Sequence, residues 1–207
     1  MMGVYQSDAR QDQFVSTLLG FKQSGTYVDI GSCDSRISNN TYFMSSRLGW
    51  SGICIEKEKY NLHSYSRQKN LFLCEDATLV DYVSVFNTFF GETSRIDYLS
   101  LDVDTDSLEV LGLLPFDTRE FTVITIEHDA YLYGDKYRGP QRDFLLEWGY
   151  VLICSDVLVQ QPGFDRVDCP FEDWWVCGDF DKALVDNVRC HFQYPSNIIE
   201  KLENIIK

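Results

Sequence analysis

The segment Thr26-Tyr-Val-Asp-Ile-Gly-Ser-Cys-Asp-Ser35 constrains the chain most, taken with Gly52-Ile-Cys-Ile-Glu56 further on. An apolar strand runs into a glycine turn, a helical pattern follows from about Asn39 to Leu48, and after Gly49 a second apolar strand ends in a carboxylate. This is one βαβ unit, which commits its surroundings to an open α/β sheet with ligands at the carboxyl ends of the strands. In such a unit the turn glycine lets backbone approach a ligand, and the acid ending the second strand accepts hydrogen bonds from ribose hydroxyls.

The nature of the ligand follows from what the turn lacks. A dinucleotide pyrophosphate needs a helix N-terminus nearly free of side chains and repels nearby carboxylates. Here the loop has one glycine, Gly31, and Asp29 precedes it. S-adenosylmethionine, with its sulfonium and ammonium groups, suits such acids. The expected cofactor is therefore a cationic adenosyl compound.

The same alternation continues along the chain. Strands are expected at Tyr27–Ile30, Gly52–Ile55, Leu71–Cys74, Ile96–Leu101, Phe121–Ile126, Tyr150–Cys154 and Trp174–Cys177. Between them lie helical patterns: Gln11–Leu19 closed by Gly20, a weaker Tyr60–Lys69, and a helix carrying Val83, Phe86 and Phe90 up to Gly91. Asp106-Ser107 can cap Leu108–Leu114 before Pro115, Pro140 and Gly149 bracket Gln141–Trp148, and Pro195-Ser196 opens a closing helix. Such regular alternation predicts an α/β fold, a doubly wound, mostly parallel seven-stranded sheet with helices on both faces. No repeat or linker interrupts the 207 residues, so one domain spanning 1–207 is expected.

Charge narrows the partners. Thirty-two Asp and Glu against 18 Lys and Arg give a net charge of −14, with no basic run. Binding to nucleic acid or anionic membrane rests on Lys and Arg displacing counterions, so neither is expected as a partner. No apolar stretch reaches membrane-spanning length, and the first residues lack a signal-peptide pattern, which predicts a cytoplasmic protein. The seven cysteines are odd in number and include no CxxC; they read as small buried hydrophobes in a reducing compartment.

Several predicted strands end in acids: Asp29, Glu56, the Glu75-Asp76 pair and Asp102. Neighbouring strands would bring these to one crevice. Tyr27–Asp34, Ser38-Asn-Asn-Thr41, Gly49–Glu56, Ile96–Asp104, Ile126-Glu127 and Leu146–Tyr150 together, in this order and spacing, resemble the FkbM-type S-adenosylmethionine-dependent methyltransferases over nearly the whole chain. The resemblance implies a class I Rossmann-like methyltransferase fold and methyl transfer to a hydroxyl oxygen of a small molecule or glycan. By position it implies that Asp29, Gly31, Ser32 and Asp34 line the cofactor. Asn40 and Thr41 would start the helix facing it, Glu56 would hold the ribose, Asp76 and Ala77 would face the adenine, and Asp102 would lie beside the methyl donor. Two family glycines are replaced, by Ser35 and Thr105, which also fits an accessory domain that keeps the fold without turnover.

For chemistry, Asp102, Glu127 and His128 are the candidates for acceptor positioning and proton removal. Asp102–Ser107 mimics a calcium loop but lacks its central glycine and has Leu113 where a bidentate Glu is required. Asp102, Asp104, Glu127, His128 and Asp129 could instead hold Mg²⁺; the metal-free reading, with His128 as base or hydrogen-bond partner, is preferred. Tyr131, Tyr133, Tyr137 and Arg138 are candidates for the acceptor side, and at least one of Trp174 and Trp175 is expected in the core. An NAD-type oxidoreductase or epimerase is the remaining rival, and would call for a glycine-rich loop absent here.

Overall fold

The computed structural model describes residues 5–34, 36–59, 70–160 and 168–206. The expected helix at 60–69 and Ser35 lie outside them. Strands β1 (Thr26–Ile30), β2 (Ser51–Ile55), β3 (Asn70–Leu73), β4 (Arg95–Leu101) and β5 (Glu120–Glu127) pair in parallel. β6 (Val151–Val159), β7 (Cys169–Val176) and β8 (Cys190–His191) complete a sheet of order β3-β2-β1-β4-β5-β7-β6-β8. Only β7 runs against its neighbours, and it pairs Glu172 with Glu127 of β5. The sheet therefore has eight strands rather than seven. The addition is the two-residue β8, too short to show a strand period in sequence.

The central strands are apolar runs because both of their faces are covered. On one face α3 (Tyr82–Phe90), α4 (Ser107–Leu113) and α6 (Asp135–Glu147) contribute Phe86, Val110, Leu111 and Leu145 to a core with Val28, Ile30 and Leu99. On the other, α1 (Gln11–Leu18), α2 (Tyr42–Arg47), α7 (Lys182–Val188) and α8 (Pro195–Ile206) pack Phe14, Met44, Val185 and Leu202 against Tyr27, Tyr98 and Ile153. Trp174 and Trp175 point to opposite faces and both are fully buried, Trp174 stacking on Phe14 at 4.0 Å. Neither indole is left for a substrate.

Element limits moved where long-range partners outweigh local signals. α6 starts at Asp135 with Pro140 inside it, after the short α5 (Ala130–Tyr133). The early turns are held by Arg138 and Arg142, which reach Asp156 and Asp173. β6 continues past Cys154 through bulges and carries Asp156 at φ 54°. Cys74, expected inside a strand, is exposed just past the end of the edge strand β3.

Candidate active site

Strand order reverses between β1 and β4, and a cavity of about 220 Å³ opens beyond the carboxyl ends there. Gly31 comes from the end of β1, Glu56 from β2, Asp76 and Ala77 from the turn after β3, and Asp102 and Asp104 from the end of β4. Among the described residues, seven that line it carry carboxylates, namely Glu56, Glu58, Glu75, Asp76, Asp102, Asp104 and Asp106, and one carries a cation, Lys57.

Gly31 is required by packing. Its φ is +81°, and a Cβ there would lie 1.7 Å from the Asp102 carbonyl oxygen. The turn is clamped between β2 and β4 by Gly31 N–H and Ser32 N–H donating to Ile55 O, and Asp102 N–H donating to Ile30 O. The expected close approach is thus made first of all to the protein's own backbone, while Gly31 also borders the cavity.

Glu56 is held from both sides. Cys33 N–H donates to Oε2 at 3.0 Å and Glu58 N–H to Oε1 at 2.9 Å. Each oxygen keeps acceptor capacity facing a ligand. Asp76 caps the turn Ala77–Leu79, accepting from Thr78 N–H at 2.9 Å and Thr78 Oγ1 at 2.7 Å, and these bonds hold its carboxyl below the usual range.

The remaining expected cofactor residues do not border this cavity. Asp29 is fully buried and accepts from Thr41 Oγ1 at 2.7 Å, Asn40 Nδ2 donates to Ser100 Oγ at 2.9 Å, and Asn39 Nδ2 donates to Ser32 O at 2.9 Å. This polar layer ties β1, the 39–41 loop and β4 together behind the cavity. Asp34 accepts from Arg36 N–H and Ile37 N–H, closing its own turn. Burial pushes Asp29 up to about 7, with Thr41 and Ser100 opposing and Asp102 and Glu56 adding to the rise.

Among the expected catalytic groups, Asp102 and Glu127 come together and His128 does not join them. Burial and the neighbouring Asp102 drive the Glu127 carboxyl far above its ordinary range, and Asp102 is raised as well, by burial first. Two such groups share a proton at neutral pH. Asp104, Glu127 and Asp129 each present one oxygen within 4.8 Å of the others. His128 Nδ1 accepts from Ala130 N–H at 3.1 Å, which leaves Nε2 facing Asp173 Oδ1 at 3.4 Å and Asp156 Oδ1 at 3.9 Å. Its side chain has no exposed surface.

Arg138 is equally committed, to Asp135 at 2.6 Å and Asp156 at 2.5 Å, so it is not available to an acceptor. Arg142 binds Asp173 and Asp156. Tyr133 and Tyr137 stack edge to face at 5.3 Å, and Tyr131 associates with Asp129. Cys33, Lys57, Glu58 and Asp106 were not anticipated. The one signal for them was their place in the loops that follow β1, β2 and β4.

A mostly parallel sheet with one antiparallel strand, β7, inserted between β5 and β6 is the Rossmann-like methyltransferase fold, and solved structures agree with it in fold. Over 84% of this chain and 83% of its own, a candidate RNA methyltransferase from Pyrococcus horikoshii is similar with TM-score 0.52 and 17% identity. A candidate O-methyltransferase from Klebsiella pneumoniae matches over the same shares, 84% and 83%, with TM-score 0.52 and 14% identity. A candidate hemolysin from Streptococcus thermophilus matches over 94% of this chain and 72% of its own, with TM-score 0.55 and 12% identity. No family model and no curated protein matches the chain, so the link to the FkbM-type family rests on resemblance. One neighbour is described as acting on RNA, and the expected exclusion of nucleic acid is not borne out by these likenesses. Among the described residues no helix is long and apolar enough to cross a membrane.

Proposed function

We propose that this chain is an S-adenosylmethionine-dependent methyltransferase, acting as a single domain in the cytoplasm on a hydroxyl of a small molecule or glycan. The observation that carries the reading is the charge of the cavity, seven carboxylates to one lysine among the described residues, at the switch point of a methyltransferase fold. A pyrophosphate there would meet repulsion from every side, which counts against the NAD-type alternative. A sulfonium with an ammonium gains from the same field. Glu56, oriented by Cys33 and Glu58, accepts the two ribose hydroxyls, and charge-assisted bonds of this kind are the strong ones. Asp76 and Ala77 border the adenine side.

Methyl transfer needs in-line alignment and removal of the acceptor's proton. The Asp102–Glu127 pair serves the second need, since a carboxyl with a raised pKa is a stronger base than an ordinary one once ionised. The resemblance to the FkbM-type family supports oxygen as the acceptor atom.

Asp104, Glu127 and Asp129 also suit a divalent cation: all three offer hard oxygen ligands, and Glu127 Oε2 and Asp129 Oδ1 are buried without a hydrogen-bond donor. Such an ion would polarise an acceptor hydroxyl. A cationic cofactor and a shared proton offset the same charge, so no step above depends on it.

Calorimetric titration with S-adenosylmethionine, S-adenosylhomocysteine and NAD tests the reading. Binding of the first two is expected; binding of NAD alone would overturn it, and binding of none would favour an accessory domain.

A further inference from the structure

β8 is held to β6 by the register pairs Cys154–Cys190 and Ser155–His191. Two residues make few ladder bonds, so this edge depends on its side chains. The two cysteine Sγ atoms lie 3.0 Å apart. Adjacent strands run roughly 4.8 Å apart, inside the roughly 4.4–6.8 Å Cα window that a disulfide spans.

The two thiols differ in access. Cys154 is fully buried in the core between α7 and α8, whereas Cys190 is half-buried and borders a surface cleft with Gln193, Asn197 and Lys201. Hydrogen bonding from Cys154, then the Lys201 ammonium, hold the Cys190 thiol below its ordinary range, while burial raises Cys154. A half-buried thiol of lowered pKa in contact with a second thiol is an arrangement that favours thiol–disulfide exchange.

We infer that Cys154 and Cys190 are a redox pair that closes to an intrachain disulfide when the protein meets a disulfide oxidant such as oxidised glutathione. The Cys190 thiolate attacks one glutathione sulfur, forming a mixed disulfide and releasing one glutathione thiolate. Cys154 then gives up its proton and attacks the Cys190 sulfur, releasing the second glutathione. Two protein thiols are oxidised to one disulfide, and one glutathione disulfide is reduced to two thiols. The bond pins β8 to β6 and fixes the entry to α8, which packs on α1. It also sits beside His191, whose Nδ1 contacts Ser155 and lies 3.3 Å from Asp156, so it braces the strand that carries the arginine-bound acid.

The test uses the full, reduced chain incubated with oxidised glutathione under native conditions. The expected result, apart from any glutathione adduct on the exposed Cys74, is a loss of two of the seven titratable thiols of the sequence with a mass lower by two hydrogens, and a non-reducing peptide map joining the segments of Cys154 and Cys190. Closing a loop between residues 36 apart should raise Tm by on the order of 5–10 °C, reversibly with reductant. Cys154→Ala should stop at a stable glutathione adduct on Cys190. Should that variant fail to fold, Cys190→Ser, altered at a half-buried edge, serves instead: it should keep the reduced protein's Tm and lose the cross-link. Retention of all seven thiols, a cross-link elsewhere, or a cross-link surviving in Cys190→Ser would overturn the proposal.

Discussion

Asp156 and Asp173, on β6 and β7, and the buried acids at the β1–β4 end of the sheet are the same groups in opposite electrostatic settings. Asp173 on β7 is nearly fully buried, and burial alone would raise its pKa, yet Arg142 and His128 bring it down to about 2. Asp156 beside it is clamped by Arg138 and Arg142. At the other end Asp29 rises to about 7, and Asp102 and Glu127 rise too, with no arginine among the causes of their shifts. A buried acid given its own cation keeps its charge, whereas one without a cation rises in pKa, as Glu172 between Gln11 and Trp174 also does, to about 8.

The contrast can be broken in four places. The largest effect is expected for Glu127→Gln, which removes the shared-proton base. Turnover should fall by roughly 10²–10⁴-fold with cofactor affinity little changed, measured as kcat beside a calorimetric Kd; full activity would remove Glu127 from the chemistry.

Asp29→Asn should change the pH dependence of stability. With a folded pKa of about 7 against an ordinary 3.8, the folded protein binds a proton that the unfolded chain has already lost. The stabilisation from that proton is complete below about 3.8 and is lost as pH rises through 7. The Asn variant should lack this loss and gain on the order of 4 kcal/mol relative to the parent between pH 4 and 8. Urea unfolding at the two pH values gives the difference, and parallel profiles for both proteins would contradict the assignment.

At the opposite end, Arg142→Met should cost about 3 kcal/mol at neutral pH, because it strands Asp156 and Asp173 without their cation. The same unfolding assay reports it, and a neutral result would mean that the cluster contributes no stability. Smallest of the four, Glu56→Ala should weaken S-adenosylmethionine by roughly 10–100-fold, the worth of one or two charge-assisted hydrogen bonds. Unchanged affinity would refute the ribose assignment.

How much of this was legible in advance depends on the range of the interactions. Asp29, Gly31 and Glu56 stood out because a βαβ unit is local, and its turn and strand tips are marked within some thirty residues. The same signal could not separate Glu56, which faces the cavity, from Asp29, which lies behind it, because both simply end apolar runs. His128 beside Glu127 looked like a base by adjacency. Its ring orientation, however, is set by Asp173, brought alongside by the antiparallel pairing of β7. Arg138 read as acceptor-facing for the same reason, since its partner Asp156 is distant in sequence.

The chain's own order of apolar runs, turn glycines and terminal acids determined a doubly wound sheet, its switch point and the sign of charge that gathers there. These follow from backbone periodicity and from the carboxylate composition, both local or additive properties. Only the tertiary structure decided which acids receive an arginine, which face a cavity, and that Cys154 meets Cys190 on an eighth strand. Those outcomes rest on register between segments distant in sequence, and register is chosen by the packing of the whole sheet rather than by any one segment.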